Sequence, residues 1–536
     1  MQGLLYTVIA MRRKIIWILI ALIFFASLFL RLWHIEFGLP HSFYGDETEI
    51  AEPAIKYTYE AKDIIQNNNY YKLIPVSFVY GTFPVYVLTA GTMVFSKTLN
   101  IFQIAFDKMS VYIFMRSFTA FLSLIIIFAI SLLYYKIYKD KAGGLICFLL
   151  LAFNWKLIVH AHYVNQDIFL TILLSLSFLT LYLNTQKNFD HKLTILTGIL
   201  FGLAVGTKIT SLISLPLYLY IFYTKRDLRG MLAFIFMTLG GFMASNPFSI
   251  IFFRDFTYRM YGLLFKEAGM VFDSVDSSPF KYASAVGFIS TIPVSLFSLY
   301  GMFKSFREKG SPFNIFLVGN IMIYLIFYSL QSRRVDRWLL PIVPLIIFYA
   351  SFGIINLKKV FPKVLYIAVL VLSLGYYLYF PVLLLTQFQR NTPKSEAYLW
   401  AKDNIPIKVT PLPYILVYTE QGLDPMNKLV GANVIKINVY VTENAQLMMP
   451  ENPAQYDYVI ISSRPMSNFK RPEVKKGYPL YVSEWENFKK QLNNKDSFEL
   501  INEFTLPKPN LIQLSDVFIY RNLKVIPKSL ASGRMP

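Results

Sequence analysis

Two adjacent carboxylates, Asp46 and Glu47, lie in His41-Ser42-Phe43-Tyr44-Gly45-Asp46-Glu47, directly after the first long apolar run of the chain. Acidic side chains near a membrane are costly to desolvate, so a pair there needs a partner or a purpose. One reading is local: a loop carboxylate caps a helix that starts near Thr48, a position Asp favours. The other is chemical: a carboxylate shielded by protein at an interface can act as a general base. The crowding of Tyr44, Glu49, Glu52, Tyr57 and Tyr59 around the pair favours the chemical reading.

Asp167 opens a later apolar run, after His160-Ala161-His162-Tyr163-Val164-Asn165-Gln166. As a first-turn acid it would complement a helix dipole; as a second carboxylate on the face of Asp46 it would share its chemistry. His160, His162 and Asp167 suggest metal ligands, but histidines at i and i+2 do not share a helix face, so no metal site is assigned. Lys208 sits in Gly206-Thr207-Lys208, and Arg333, Arg334 and Arg337 in Gln331-Ser332-Arg333-Arg334-Val335-Asp336-Arg337. Snorkelling to headgroups, with Asp336 neutralising one arginine, accounts for some of these cations. A lipid phosphate is the other partner they suit, since guanidinium binds it through paired hydrogen bonds. Arg254, Arg259 and Lys266 read as ordinary surface charges.

These residues must be held by membrane helices. Of 536 residues, 55% are hydrophobic and 16% charged. The apolar residues come in blocks of about twenty, the length that crosses a bilayer as a helix. Residues 15–33 form the first span; no small-residue cleavage site follows it, so it is a retained helix rather than a removed signal. Further spans are expected at 109–137, 143–159, 167–185, 193–206, 209–223, 230–250, 284–303, 312–330, 338–356 and 364–386. The expected fold is therefore a polytopic α-helical membrane protein with about 11–13 transmembrane helices. The first outer loop covers 34–108, within which residues 83–97, interrupted by Gly91, read as an interfacial or re-entrant helix.

The net charge of +20 does not form the single basic stripe of a nucleic-acid binder. The basic residues gather in short loops. If the spans alternate, Arg12 to Lys14, Lys136 to Lys141, Lys187 and Lys192, Lys225 to Arg229, Lys304 to Lys309 and Lys358 to Lys363 share one side. The positive-inside rule makes that side cytoplasmic, with a cytoplasmic N-terminus. Asp46, Asp167, Lys208, the 331–337 segment and everything after about 387 then lie outside. The single cysteine, Cys147, excludes an intramolecular disulfide and a cysteine-based metal site. Residues 391–536 change character, with many charges, prolines and short β-type runs at 414–418, 456–462 and 517–520. We therefore divide the chain into a membrane domain, 1–387, and an extracytoplasmic soluble α/β or α+β domain, 388–536.

An Asp-Glu pair just after a first span resembles the membrane glycosyltransferases of the GT-C fold, among them the dolichyl-phosphate-mannose protein mannosyltransferases and the lipid A aminoarabinose transferase. Tyr80-Gly81-Thr82-Phe83-Pro84 resembles the aromatic–proline motif of that group, Arg116 falls in the following span, and His162 to Asp167 resembles the segment whose Asp opens a later span. Gly206-Thr207-Lys208, Asn246-Pro247, Arg337-Trp338-Leu339-Leu340-Pro341 and the 397–406 stretch follow in the same order. One departure stands out: Thr82 occupies the place of a lysine in the aminoarabinose transferase, so a phosphate contact must come from Lys208 or the arginines at 333–337. Nothing after residue 390 resembles the repeat domain of eukaryotic protein mannosyltransferases, so a protein acceptor is not implied.

The resemblance implies transfer of a sugar from a polyprenyl-phosphate carrier to a lipid, glycan or protein acceptor on the outer face. Such a reaction needs a base on the acceptor hydroxyl and positive charge on the departing phosphate. Asp46 is the expected base, with Glu47 and Asp167 orienting acceptor or sugar and a single displacement inverting the anomeric carbon. Lys208, Arg333, Arg334 and Arg337 are expected on the phosphate, with Tyr44, Tyr80 and His162 lining the substrate. No nucleotide or redox cofactor follows, and a divalent metal is left open. Two other classes compete. A transporter or flippase of polyprenyl-linked sugars would use similar charges but would show related halves, which the sequence lacks. A non-catalytic scaffold would leave the acidic and arginine clusters without a role.

Overall fold

The computed structural model describes residues 2–41, 44, 46–75, 78–101, 107–187, 190–262, 280–308, 310–331, 335–405, 413–420, 425–429, 432–437, 452–463, 466, 469–470, 475–476 and 478–524. Arg333 and Arg334 lie outside the described residues, as do Ser42, Phe43 and Gly45. The helices are α1 (Gln2–Leu32), α2 (Thr48–Gln66), α3 (Thr82–Ile101), α4 (Lys108–Tyr138), α5 (Lys141–Ala152), α6 (Trp155–Ala161), α7 (Gln166–Gln186), α8 (His191–Thr207) and α9 (Leu215–Thr224). They continue with α10 (Leu228–Ser245), α11 (Phe248–Ile251), α12 (Phe253–Tyr261), α13 (Lys281–Ile289), α14 (Ile292–Glu308), α15 (Pro312–Ser329), α16 (Val343–Leu357), α17 (Lys363–Phe388) and α18 (Pro393–Asn404).

In hydrocarbon the first N–H groups of a helix have no water to meet, so each span needs an acceptor at its start. Asp107, Asp140, Asn165, Asp190 and Asp227 supply it, each accepting a backbone N–H at the head of α4, α5, α7, α8 and α10. Among the described residues seven helices are long and apolar enough to cross a membrane, and two bent pairs bring the number to nine. Two shorter apolar segments, His191–Thr207 and Ile209–Thr224, account for the remaining runs expected at 193–206 and 209–223.

The runs expected as straight spans at 143–159 and 284–303 are both broken. α5 and α6 bend by 51° where Asn154 starts a new helix by capping Leu157 N–H. α13 and α14 bend by 108° at Ser290–Thr291. Thr291 has a φ of 66°, and Pro293 one residue into α14 lacks the N–H to continue α13. Both breaks lie beside the site described below. The span beginning at Asp336 is the central one, with 89% of its apolar window buried, against 17% for α1, which faces lipid. The charges in the first turn of that central span, Asp336 and Arg337, are half-buried at its end.

The C-terminal domain holds a mixed five-stranded sheet of β1 (Ile415–Glu420), β2 (Ala432–Ile437), β3 (Tyr458–Ser462), β4 (Phe498–Phe504) and β5 (Val517–Asn522), in the order β2-β1-β3-β5-β4. β2, β1 and β3 are parallel; β5 pairs antiparallel with β3 and β4. Strand alternation gives each face its own cover. Ile415, Val417 and Ile460 pack with Ala397 and Ala401 of α18, while Leu416, Tyr418 and Val459 pack with Trp485 and Phe488 of the helix Pro479–Leu492. Gln387 near the end of α17 ties this domain down: its amide donates to the Pro507 and Pro509 carbonyls at 2.7 Å each, and its oxygen accepts Leu511 N–H.

Candidate active site

Glu47 is the first fixed point. Its two carboxylate oxygens each accept from Arg116 of α4 at 2.7 Å, and both side chains are fully buried. Arg116 also donates to the carbonyls of Ile35 and Phe37, and Val164 N–H donates to Glu47. The Arg116 guanidinium lies 5.1 Å from the Tyr163 ring centroid. This network joins the end of α1, the start of α2, the middle of α4 and the approach to α7. It corrects the expectation that Glu47 orients acceptor or sugar: every Glu47 oxygen is occupied and sealed from solvent.

Asp46 has the opposite fate. It does not cap α2, whose first residue receives no side-chain cap. Its side chain is 25% exposed, with Oδ2 paired to Arg337 Nη2, and Oδ1 has no partner among the described residues. Arg337 donates through Nη1 to the Tyr44 hydroxyl at 3.2 Å, and its Nε lies 3.8 Å from Asp167 Oδ2. Asp167 Oδ1 in turn accepts from Lys208 Nζ at 2.7 Å. Lys208 Nζ stands 5.7 Å from the Trp338 ring centroid. Asp46, Asp167, Lys208 and Arg337, spread over 292 positions of the sequence, thus form one alternating chain of charges in a cleft.

Local structure explains how each member is held. Asn165 caps α7 by accepting Asp167 N–H, which leaves the Asp167 carboxylate to face Lys208. Gly81 lets the start of α3 approach α8: a Cβ there would fall 2.0 Å from the Gly206 carbonyl oxygen. Thr82, buried, donates its hydroxyl to the Ser245 carbonyl and its N–H to Asn246 Oδ1, and Asn246 Nδ2 donates to the Gly206 carbonyl at 2.7 Å. This knot sets Lys208, two residues beyond Gly206. Thr82 is therefore an anchor, and the lysine it replaces has no counterpart at that position.

Tyr44 stacks on Tyr163 at 4.6 Å and meets His160 edge-on. Burial pushes the Tyr44 phenol up from its ordinary range, so it stays a proton donor beside Arg337. Tyr80 is half-buried, directly ahead of Gly81 and α3. His162 does not face the cleft. It is fully buried, stacked on Phe388 at 3.8 Å, with Nε2 at 2.9 Å from the His34 carbonyl. Burial, and next the Arg116 charge, lower its imidazole to about 3, so it is a neutral packing group. The expected substrate role for His162 gives way to packing: it holds the end of α6 against α17. No group of three His, Cys, Asp or Glu side chains could hold a metal among the described residues.

The sequence reading missed Lys156. It lies inside an apolar run on α6, is 2% exposed, and is electrostatically coupled to Asp336 and Arg337. Its only sequence signal is a lysine well inside a run that is otherwise free of charge from residue 142 onward.

Residues 21–253 match the family model of dolichyl-phosphate-mannose-protein mannosyltransferase. Among solved structures, the chain is similar to ArnT from Cupriavidus metallidurans bound to undecaprenyl phosphate, at 13% identity and a TM-score of 0.50, covering 93% of this chain and 97% of that one. The apo state of the same protein gives 14% identity and a TM-score of 0.51 over the same shares of the chains. No curated protein matches the chain. The chain thus resembles the GT-C mannosyltransferase superfamily in its membrane half and has an ArnT-like fold throughout: a multi-pass helical membrane domain followed by a small sheet domain.

Proposed function

We propose that this protein is an inverting glycosyltransferase that takes a sugar from a polyprenyl-phosphate carrier and passes it to an acceptor hydroxyl at the extracytoplasmic membrane face. One observation carries the reading. Asp46 is partly exposed and has an oxygen without a partner among the described residues, while the neighbouring acid is locked away and two cations, Arg337 and Lys208, stand in the same charge chain. The match of residues 21–253 to a mannosyltransferase model and the ArnT-like fold support the same class.

Asp46 Oδ1 accepts the proton of the acceptor hydroxyl as its oxygen attacks the anomeric carbon. The sugar–phosphate bond breaks, and its electron pair goes to the phosphate oxygen. The donor is a phosphodiester with one negative charge and the departing carrier a monoester with a second, so positive charge near that oxygen favours the transition state over the bound donor. Arg337, held between Asp46 and Asp167, is placed to turn from carboxylate to phosphate as the donor enters. Lys208 holds the Asp167 carboxylate in place. No general acid is needed, because the carrier phosphate is already a good leaving group. Tyr44 and Tyr80 line the sugar side.

Purified protein supplied with a labelled polyprenyl-phosphate sugar and a membrane extract should transfer label, and Asp46→Asn should lower the rate by about 10²–10⁴-fold with the fold intact. Undiminished transfer by the variant would sink the base assignment. Movement of the labelled lipid across vesicles without transfer would favour a flippase instead.

A further inference from the structure

Three cations are buried among the described residues: Arg31, Arg116 and Lys156. Arg31 donates to the Ser27 and Ala152 carbonyls and to the Ser123 hydroxyl. Arg116 has Glu47 and two carbonyls. Lys156, 2% exposed, has no carboxylate within ion-pair distance and no hydrogen-bond acceptor among the described residues; its ammonium lies 5.1 Å from the Trp155 ring centroid. A cation–π contact offsets only part of the cost of desolvating an ammonium. Asp336 acts on Lys156 only from beyond ion-pair distance, so among the described residues the ammonium has no directly paired anion and suits one that a ligand brings.

The surroundings indicate which anion. His160 lies one turn beyond Lys156 on the same face of α6. Its Nδ1 faces the Asn165 amide at 3.1 Å, which makes Nδ1 the acceptor and Nε2–H the donor. That Nε2 is buried and has no hydrogen-bond partner among the described residues. His160 also meets the Tyr44 ring edge-on, and the Tyr44 hydroxyl accepts from Arg337 at 3.2 Å, so this face of α6 adjoins the Arg337 cluster. Lys208 and Arg337 are already engaged by Asp167 and Asp46. Lys156 and His160 Nε2–H are the donors still uncommitted beside them.

We infer that Lys156, together with the Nε2–H of His160, forms the anion subsite that takes the phosphate of the lipid-linked donor. This rests on the glycosyltransferase reading and adds to it the group that meets the charge gained when the sugar leaves. The ammonium is positioned for the phosphate oxygen that receives the electron pair, while Asp46 keeps the acceptor proton. Because the ammonium is uncompensated in the empty protein, the same residue weakens the fold that it equips for binding.

The test uses the full chain in detergent, with polyprenyl phosphate and the polyprenol of the same length as probes, and compares wild type, Lys156→Met, Lys156→Arg and His160→Gln. Lys156→Met should bind polyprenyl phosphate about tenfold to a hundredfold more weakly. It should bind polyprenol like the wild type, and without ligand it should melt at a higher temperature. Lys156→Arg should restore most of the phosphate preference, and His160→Gln should lose part of it. Equal phosphate binding by wild type and Lys156→Met would overturn the subsite alone. So would a ligand-free Lys156→Met that melts below the wild type, since that shows the ammonium supporting the fold. A wild type that binds neither lipid would overturn the glycosyltransferase reading along with it.

Discussion

Asp46 and Glu47 are neighbours in sequence, and nothing in their types says which one does chemistry. The fold separates them through a residue 69 positions away: Arg116 takes both oxygens of Glu47, and none of Asp46. Breaking a buried pair by removing one charge leaves the other uncompensated, at about 3–5 kcal/mol. We therefore expect Glu47→Gln to lower the melting temperature of the detergent-solubilised protein steeply. The fraction that stays folded in the cold should transfer sugar at the wild-type rate. A Glu47→Gln protein as stable as the wild type but inactive would return Glu47 to the chemistry. The same comparison marks what was legible in the sequence. Asp46, Asp167, Lys208 and Arg337 stand at the ends of apolar runs, where a charge is conspicuous, and the structure brings all four together. Lys156 stands inside such a run, where snorkelling and a buried site look alike, and its burial follows from how α6 packs after the bend at Asn154.

At the scale of elements, the apolar runs and their capping acids were readable because a membrane helix must satisfy its backbone within itself. The two bends were not, since they depend on single residues such as Thr291 and on what packs against them. The knot around Asn246 is the clearest case of a short motif with a mechanical role. One side chain holds the Thr82 N–H at 3.2 Å and the Gly206 carbonyl at 2.7 Å, and so fixes α3, α8 and α10 to one another. Asn246→Ala leaves both groups buried without a partner, at about 1–3 kcal/mol each. Beyond that loss, the turn carrying Lys208 should loosen. Activity per folded molecule should fall through a weaker hold on Asp167, and Asn246→Asp, which keeps the acceptor but not the donor, should recover the α3 contact only. Equal activity per folded molecule in wild type and Asn246→Ala would show that the knot stabilises without positioning.

At the scale of the molecule, the basic loops and the charged site fall at opposite poles. Tyr182 reaches the Lys136 carbonyl and Tyr138 reaches Ser305, which gathers the ends of α4, α7 and α14 that carry the basic loops at one pole. The Asp46–Arg337–Asp167–Lys208 chain occupies the other pole. There the sheet domain is clamped by Gln387, Trp33 donates to the Leu385 carbonyl, and His41 lies against Tyr398. The short basic loops should hold the first pole in the cytoplasm, because moving clustered lysines across the bilayer is opposed during insertion. The lone cysteine is buried, so a Cys147→Ala background carries no competing thiol. In that background Lys495→Cys, on the exposed surface of the sheet domain, should react with a membrane-impermeant maleimide in intact cells, whereas Lys192→Cys, at the exposed start of α8, should react only after permeabilisation. The reverse pattern would put the cleft on the cytoplasmic side, and the donor lipid would then have to be drawn from that leaflet.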